Sequence, residues 1–436
     1  MSKLAIHGGK KEVPEGLFVE WPKVTESDKK AVMKVLDREI LWGPESPESK
    51  GLEEEWAKYI GTKYCLTTNS GTAALHCAIH ALGVKPGDEV ITTAYTFIAS
   101  ASAAIHHNAI PIFVDILPDT HQIDYNKIEE RINDHTKAII PVHIEGMPCD
   151  IDKVIAIAKK HNLPVIEDAA QAHGALFNGK KVGNLGDIAI FSLNGTKNLP
   201  GGEGGLFNTS NEDYKDRAEM LRMFGEIPAR GKPRAYNAFG MGWQYRNNEM
   251  CAAFTRSRLK HLDKDNRIRQ ENVEYLKEKL SDIKALIFPT VPKNRTHVYY
   301  LCRVKVDPSR IGLDVNAKEF RMKLQRALQA EGVQADEWQT MPVPCQQLFQ
   351  IQEGYGYGYP WTDVHARKGI KYNASEYRLT QNLLDKSFVI HSALCPPNGK
   401  KLLKHFVNAI HKCFENIDEI RRVDMSIPLR AIHGRR

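Results

Sequence analysis

The sequence is short of the features that mark several large classes of protein. Its eight cysteines include no Cys-x-x-Cys pair, so we predict neither a disulfide framework nor a zinc module, and no metal site. The most apolar long stretch, residues 97–114, is interrupted by His106, His107, Asn108 and Pro111, which makes it a poor membrane span. With 31 Gly and 22 Pro in 436 residues, collagen-like and largely disordered chains are excluded as well.

Charge and the first residues restrict the partners and the location. The 60 basic and 53 acidic side chains leave a net charge of +7, without a basic cluster interleaved with aromatic residues. No nucleic acid partner is therefore predicted, whereas a small anionic ligand stays open. The opening MSKLAIHGGKK contains no apolar segment of the secretory kind, so we expect a cytoplasmic protein with reduced thiols and no membrane partner.

Hydrophobic periodicity predicts an α/β fold. Between about residues 50 and 210, short apolar runs alternate with amphipathic stretches, which is typical of repeated strand-helix units. The predicted strands are Tyr64–Thr67, Glu89–Ile91, Pro111–Val114, Ala138–Pro141, Val165–Glu167 and Ile188–Phe191, and the predicted helices are Thr72–Leu82, Ile98–His107, Ile151–Lys160 and Glu212–Arg222. Strands joined by helical crossovers form a mostly parallel sheet that is covered by helices on both faces.

A second, smaller domain is predicted for the C-terminal part. A charged helix over residues 249–280 is long enough to join two lobes. It is followed by a strand and two helices, at 298–306, 315–330 and about 400–420. We predict a large α/β domain with an N-terminal arm over residues 1–265 and a smaller α+β domain over residues 266–436.

Polar residues follow several of the predicted strands. Asp168 follows one strand, Ser192 follows another, and residues 92–97 follow a third. Because ligands collect outside the carboxyl ends of parallel strands, we expect these residues at one edge of the sheet. Residues 70–72, Ser-Gly-Thr, also follow a strand and open a helix, so their backbone N–H groups could bind an anion. An ordinary N-cap with a turn glycine explains the same three residues.

Lys197 and Asp168 are the candidate catalytic residues. Lys197 lies five residues after Ser192, at the entrance to the glycine-rich turn 201–205. Partial desolvation at such an edge makes a lysine amine able to form a Schiff base. Asp168 ends an apolar strand and there needs a cation, such as a protonated ring nitrogen. A solvated surface lysine and a helix-capping aspartate are the simpler alternatives.

Two further side chains fit the same ligand. Phe97 could stack on an aromatic ring, although core packing would explain it too. Gln171, one helical turn beyond Asp168, could hydrogen-bond a ring substituent or simply be exposed. One group combines an aromatic ring that has a basic nitrogen, an aldehyde for Lys197 and a phosphate for the region of Ser70 and Ser192. That group is pyridoxal phosphate.

Three motifs carry a resemblance to a known family. They are NSGTAALHCAIHALGVKPGDEVITTAYTFIAS from Asn69, VIEDAAQAHGA from Val165 and FSLNGTKNLPGGEGG from Phe191. In order and spacing they resemble the DegT/DnrJ/EryC1/StrS family of sugar aminotransferases, and the resemblance runs from about residue 20 to 420. It implies the aspartate aminotransferase fold, which is fold type I of the pyridoxal phosphate enzymes.

The resemblance also implies roles around the cofactor ring. Lys197 would form the Schiff base, and Asp168 would pair with the pyridine nitrogen. Phe97 would stack on the ring, and Gln171 would lie near the ring oxygen.

Gly71, Thr72 and Ser192 would hold the cofactor phosphate. Members of the family are homodimers in which a segment of the neighbouring subunit closes this phosphate site. The matching segment here is residues 242–249, and Gln244 stands where the family usually has Asn. We therefore expect a homodimer with shared active sites and carry Gln244 as a cofactor-binding candidate.

The activity implied by the resemblance is transamination. An amino group would move from glutamate or glutamine to a keto sugar or keto cyclitol, in amino-sugar, aminocyclitol or antibiotic biosynthesis. Residues 341–361 resemble the branch that acts on cyclitols. A sugar dehydratase or epimerase with the same cofactor stays open, although dehydratases of the family replace the lysine with histidine and Lys197 is retained. A non-catalytic sensor that binds the cofactor stays open too.

Three further residues near the expected edge have open alternatives or no assigned role. His143 follows the strand at 138–142 and either contacts a substrate or is a hydrogen-bonded loop histidine. Tyr95 is a candidate for the substrate cleft. Glu145 stands where the family often has an aromatic residue, and the sequence assigns it no role.

Overall fold

The computed structural model describes residues 3–42, 46–227 and 235–429. Its strands are β1 (Tyr64–Thr68), β2 (Glu89–Thr93), β3 (Ile110–Val114), β4 (Thr136–Ile140), β5 (Ile166–Asp168), β6 (Leu176–Phe177), β7 (Lys180–Lys181), β8 (Ile188–Ser192), β9 (Gly205–Thr209), β10 (Leu286–Ile287), β11 (Cys302–Val306) and β12 (Ser387–Ile390). Its α-helices are α1 (Glu26–Asp37), α2 (Pro47–Ile60), α3 (Gly71–Ala81), α4 (Ala99–His106), α5 (Ile151–Lys160), α6 (Glu212–Arg222), α7 (Glu249–Leu259), α8 (Leu262–Lys279), α9 (Ala317–Ala330), α10 (Gln347–Ile351), α11 (Arg378–Asp385), α12 (Lys400–Glu415) and α13 (Ile417–Arg421).

The large sheet has the strand order β3-β2-β4-β5-β8-β9-β1. Strands β3, β2 and β4 pair in parallel, as do β5 and β8. Parallel bridges from Ile139 to Val165 and from Val142 to Asp168 join the two groups of strands. Only β9 runs antiparallel to its neighbours in this described sheet. The predicted α/β class with a mainly parallel sheet is therefore confirmed.

Alternating residues of the strands supply two cores, one on each face of the large sheet. Along β8, Ile188 and Ile190 pack with α3, α4 and α6, while Ala189 and Phe191 pack with α2, α5 and α7. This alternation follows from the period of two along a strand. The carboxyl edge between the two helical layers is left for polar residues.

A third core lies around the smaller antiparallel sheet β10-β11-β12. Helices α9 and α12 pack on it, and Leu4 and Val13 of the N-terminal arm are buried in it. Conversely, Val343, Phe349 and Tyr372 pack on the core of the large sheet. The chain thus crosses between the cores more than once, and the division at residues 265 and 266 stays a prediction.

The main difference from the predicted elements is the helix at 249–280, which is two helices. Helix α7 packs against α1 and α2, whereas α8 packs against α12 near the smaller sheet. The break at Lys260 and His261 lets each helix align with a different core. No helix in the described ranges has both the length and the apolar character needed to cross a membrane.

Candidate active site

The predicted edge residues lie at the carboxyl ends of parallel strands. Asp168 ends β5, Ser192 ends β8, and residues 94–97 follow β2. Strands β5 and β8 are direct neighbours, with Asp168 opposite Ile190. The sheet therefore brings together groups that are far apart in the sequence.

Asp168 is buried, with 3% of its surface exposed. The Ser100 hydroxyl donates to its Oδ2 at 2.6 Å, and the Ala170 backbone N–H donates to its Oδ1 at 3.1 Å. Burial raises the pKa of this carboxyl above its ordinary value; Ser100, Ala170 and the nearby charge of Lys197 oppose the shift without cancelling it. A buried carboxylate in this state is stabilised by any cation placed beside it.

Lys197 lies half-buried in a tight loop that follows β8. Its N–H donates to the carbonyl of Asn194 at 2.9 Å, and a bridge from Asn194 to Gly202 closes the loop. Its Nζ lies 4.2 Å from the centroid of the Tyr300 ring. The charge of Lys197 lowers the pKa of Asp168, so the amine lies within electrostatic reach of the carboxyl, and their joint catalytic role stays a prediction.

Three distant residues contact the chain at Thr196 and Lys197, two through backbone carbonyls and one through a side chain. Trp21 Nε1 donates to the carbonyl oxygen of Lys197 at 2.9 Å. His391 Nε2 donates to the carbonyl oxygen of Thr196 at 3.1 Å, since a carbonyl can only accept. The Tyr300 hydroxyl lies 3.2 Å from Thr196 Oγ1. The sequence pattern missed Trp21, Tyr300 and His391, because nothing in their local sequence points to a lysine more than a hundred positions away.

The start of α3 has the form of an anion cradle. Ser70 caps the helix, and its side chain accepts from the N–H of Ala73 at 3.0 Å. A Cβ on Gly71 would lie 2.9 Å from the Cβ of Ser192, and one on Gly205 would lie 2.4 Å from the carbonyl oxygen of Ser70. These glycines allow the helix N-terminus and the Ser192 hydroxyl to approach closely, which is the arrangement that binds phosphate.

The remaining predicted cofactor contacts differ in exposure. Thr72 lies half-buried in the first turn of α3. Phe97 is 56% exposed and lies just before α4, the helix that brings Ser100 to Asp168. Gln171 is buried, and its Oε1 accepts from the N–H of Glu145 at 2.8 Å. This bond occupies Oε1 and fixes the orientation of the amide.

Gln244 lies next to the cradle of its own chain. Its carbonyl oxygen accepts from Asn69 Nδ2 at 3.2 Å, and the N–H of Asn69 donates to the carbonyl of Tyr245 at 2.7 Å. The Gln244 side chain is exposed. The predicted contact of Gln244 with the phosphate site of a second subunit stays a prediction.

Glu145, which the sequence left without a role, is the centre of a buried charge cluster. The cluster, called the Glu145 cluster below, consists of Glu145, Arg303, Tyr95 and His121. Arg303 Nε donates to Glu145 Oε1 at 2.6 Å, the Tyr95 hydroxyl donates to the same oxygen, and His121 Nδ1 lies 3.6 Å from Oε2. Burial alone would raise the pKa of Glu145, but Arg303 and the hydrogen bonds lower it to about 2.

Burial corrects the expectation for Tyr95 and decides between the two alternatives for His143. Tyr95 is fully buried in the Glu145 cluster, so it does not line a substrate cleft as expected. His143 is also buried, with Nε2 3.0 Å from Glu167 Oε2 and Nδ1 accepting from the N–H of Cys149. It is therefore the hydrogen-bonded loop histidine of the two alternatives.

The fold and the chemistry at this edge define the class, a fold type I aminotransferase that depends on pyridoxal phosphate. The comparison with known proteins then gives the family. A family model described as the DegT/DnrJ/EryC1/StrS aminotransferase family matches residues 22–374. The chain belongs to this family, as the three sequence motifs predict.

Individual relatives agree with the family. A Streptoalloteichus tenebrarius protein provisionally named L-glutamine:3-amino-2,3-dideoxy-scyllo-inosose aminotransferase is 31% identical over 431 residues, 96% of this chain and 100% of the relative. GDP-perosamine synthase of Caulobacter vibrioides is 39% identical over 255 residues, 58% of this chain and 68% of the relative. The solved structure of S. venezuelae DesV in complex with a ketimine intermediate has a TM-score of 0.75 at 28% identity, and the match covers 91% of this chain and 95% of DesV.

The residues present fit the cofactor of this family. The close approach of Gly71 to Ser192 leaves a cradle that a Cβ would fill, and the buried Asp168 can be stabilised by a protonated ring nitrogen. Lys197 supplies the amine that an aldehyde requires. The cofactor is pyridoxal phosphate.

Proposed function

We propose that the protein moves an amino group from L-glutamine or L-glutamate to the ketone of a cyclitol or a sugar, with Lys197 and Asp168 as the catalytic residues. The observation that carries the reaction is the buried Asp168 carboxyl within electrostatic reach of the Lys197 amine. The acceptor is inferred from relatives. Likeness over the full length, including residues 343–377, is to aminotransferases named for an amino-scyllo-inosose. The sugar relatives match a smaller share of the chain.

Proton transfer by Lys197 is central to the proposed mechanism. Pyridoxal phosphate, when bound, withdraws electrons from the Cα of the amino donor. Lys197 Nζ removes the Cα proton of the donor as a general base and delivers a proton to the acceptor carbon in the second half-reaction as a general acid. Asp168 balances the charge of a protonated ring nitrogen from within the sheet edge. Ser100 and Ala170 keep its carboxylate in place.

The other candidate residues would position the cofactor through its phosphate, its ring face and its ring oxygen. Gly71, Thr72 and Ser192 would bind the phosphate through the helix N-terminus and two hydroxyls. Phe97 would cover one face of the ring, for which its large exposed area is available. Gln171 would donate from its amide nitrogen to the ring oxygen, since its Oε1 is already used by Glu145.

The test begins with the visible spectrum of the purified protein. We expect a yellow band that L-glutamine or L-glutamate converts to the band of the aminated cofactor. Addition of a keto cyclitol should restore the yellow band at a higher rate than a nucleotide-linked keto sugar, and a higher rate with the nucleotide sugar would overturn the cyclitol assignment.

Lys197→Ala and a donor-free incubation separate the alternatives. The K197A variant should lose turnover, and peptide mapping after borohydride reduction should find the cofactor on Lys197 in the wild type. Substrate conversion without a donor would favour a dehydratase or epimerase. A yellow band that no donor changes would favour a sensor.

We also propose that the protein is a homodimer whose subunits complete each other's phosphate sites. Met33, Trp42, Phe239 and Met241 are large apolar side chains that are each more than half exposed, and a subunit interface that joined them into one patch would remove them from water. Gln244 lies close in sequence to the last two. Light scattering should give twice the chain mass of 49.2 kDa, and Gln244→Ala should weaken cofactor retention without changing that mass.

Action in the cytoplasm is proposed on chemical grounds. All eight cysteines are unpaired thiols, which is typical of a reducing compartment. Cell fractionation would test this location, and recovery outside the cytoplasm would contradict it.

A further inference from the structure

Tyr300 faces the Lys197 amine from the side of the smaller sheet. Its residue surface is 2% exposed, and its ring centroid lies 4.2 Å from Lys197 Nζ. An ammonium group at this distance is attracted by the negative face of an aromatic ring, most strongly where water is excluded. Tyr300 therefore contacts the atom that is proposed to carry the proton.

The ring of Tyr300 is fixed from several directions. Its hydroxyl is hydrogen-bonded to Thr196 Oγ1 at 3.2 Å. The His391 ring packs edge-on against the Tyr300 ring, with 5.2 Å between the centroids and 69° between the planes. The backbone on both sides is bound to the large domain: the N–H of Val298 donates to the carbonyl of Gly146, and that of Leu301 donates to the carbonyl of Glu145. The ring face is thus held in place before any ligand binds.

Other titratable groups that sense the Lys197 charge do not replace this contact. Asp168 is the anion of the site, and the proposed function commits it to the cofactor ring. His173 is buried among Trp56 and Phe191, and burial lowers its pKa to about 3, so it stays neutral. Tyr300 also favours a positive charge on Nζ. Unlike Asp168, it has no other role in the proposed mechanism.

We propose that the Tyr300 ring stabilises the ammonium form of Lys197 and so favours transfer of the donor Cα proton to Nζ. In this step the Cα–H bond breaks, the proton forms a new N–H bond on Nζ, and the electron pair stays with the donor carbon. The inference rests on the proposed role of Lys197. It gives Tyr300, which lies just before β11 of the smaller sheet, a part in the proton-transfer step.

Two variants separate the ring from the hydroxyl. Tyr300→Phe keeps the ring face and loses the bond to Thr196, whereas Tyr300→Met removes the ring and keeps an unbranched apolar side chain. The measurement is the decay of the yellow band of the holoenzyme after mixing with L-glutamate, with hydrogen or deuterium at Cα. We expect Y300F to stay within about twofold of the wild type. We expect Y300M to slow about tenfold, with a larger deuterium effect and unchanged donor affinity.

A second readout does not depend on turnover. In the full-length, cofactor-free protein, trace acetylation at fixed pH measures the neutral fraction of each lysine, with exposed Lys153 as the internal reference. Lys197 should be acetylated several-fold faster in Y300M than in the wild type, and at the wild-type rate in Y300F. Y300L is the replacement should Y300M fail to fold.

The outcomes keep this inference apart from the proposed function. Equal decay and equal acetylation in all variants, with the cofactor mapped to Lys197, would overturn the role of Tyr300 and leave the proposed function intact. A cofactor mapped to another lysine would overturn the site assignment itself, and the inference with it. Loss of rate in Y300F as large as in Y300M would assign the effect to the hydroxyl and overturn the ring contact.

Discussion

Asp168 and Glu145 are both buried carboxyls at the same edge of the large sheet, yet their electrostatic surroundings differ. Glu145 has Arg303, Tyr95 and His121 around it, and its pKa is lowered to about 2. Within the described part of the chain, Asp168 is hydrogen-bonded by a hydroxyl and a backbone amide, and its pKa is raised. The charge of Glu145 is fully balanced by its neighbours, whereas the hydrogen bonds and the Lys197 charge at Asp168 do not cancel the effect of its burial.

This contrast separates a carboxyl with a structural role from the carboxyl that is proposed to act on a cofactor. Arg303 lies on β11, and its guanidinium also bonds Ser387 on β12 and the carbonyl of Trp338. The Glu145 cluster therefore ties the large sheet to the smaller one. Among the described residues, Asp168 forms no ion pair of this kind, which is the state expected of a group with the proposed role toward a cofactor.

The largest effect is expected from removing the charge of Asp168. Asp168→Asn should slow the donor half-reaction about a thousandfold, since an amide cannot balance a protonated ring nitrogen. Its unfolding free energy should stay close to that of the wild type, because burial already disfavours the charge. Stopped-flow spectroscopy and denaturant unfolding measure the two quantities. A near-normal rate in D168N would show that the charge of Asp168 is not needed for the half-reaction, and would refute the contrast with Glu145.

Arg303→Met tests the other carboxyl. Removing the cation leaves Glu145 charged and buried, so the free energy of unfolding should fall by about 3 to 4 kcal/mol. The double variant Glu145→Gln, Arg303→Met has no unpaired charge and should recover much of this loss. Urea unfolding of the single and double variants measures the difference, and a double variant no more stable than R303M would contradict the pairing.

Acid should destabilise the protein through Glu145 in a defined window. Because its pKa falls from 4.5 to about 2 on folding, its stabilisation is present above pH 4.5 and is lost as the pH falls towards 2. The shift corresponds to about 3 kcal/mol. Asp168, whose pKa is raised, contributes with the opposite sign. Between pH 5 and pH 2, the free energy of unfolding should fall by about 3 kcal/mol less in the Glu145→Gln, Arg303→Met variant than in the wild type. An equal fall in both proteins would refute the shift.

The smallest effect is expected at the support of Asp168. Ser100→Ala removes a hydrogen bond to a charged oxygen, worth about 1.5 kcal/mol, so the half-reaction should slow about tenfold. The acid limb of its pH-rate profile should move to higher pH, since the pKa of Asp168 rises further. Ser102→Ala, on the same helix α4, is the matched control. An unchanged acid limb in S100A would show that this bond does not tune Asp168.

Much of the site could be predicted because it is encoded locally. Asp168, Ser192 and residues 92–97 each follow an apolar run, and parallel pairing alone brings such positions to one edge. The turn at 201–205 and the helix start at Gly71 are likewise visible in the local sequence. The predicted strand bounds agree with β1 to β5 and β8 to within about two residues, because side-chain period and turn residues act over a few positions.

Other features could not be predicted because their partners are remote. Trp21 lies 176 positions from the lysine whose carbonyl it binds, and Arg303 lies 158 positions from Glu145. Tyr95 follows a strand as Asp168 does, and the sequence pattern treats the two alike. Packing against Arg303 buries Tyr95, and nothing near it in the chain signals that neighbour.

The sequence by itself determined the sheet, the order of the polar residues along its edge and the family, because periodicity and motif spacing are local properties. The tertiary structure alone decided which of those polar groups acquire a charged partner. A pKa depends on burial and on charges a few ångströms away, and those charges come from distant parts of the chain. Arg303 makes Glu145 a link between two sheets for that reason, and the raised pKa of Asp168 agrees with the proposal that it serves a cofactor.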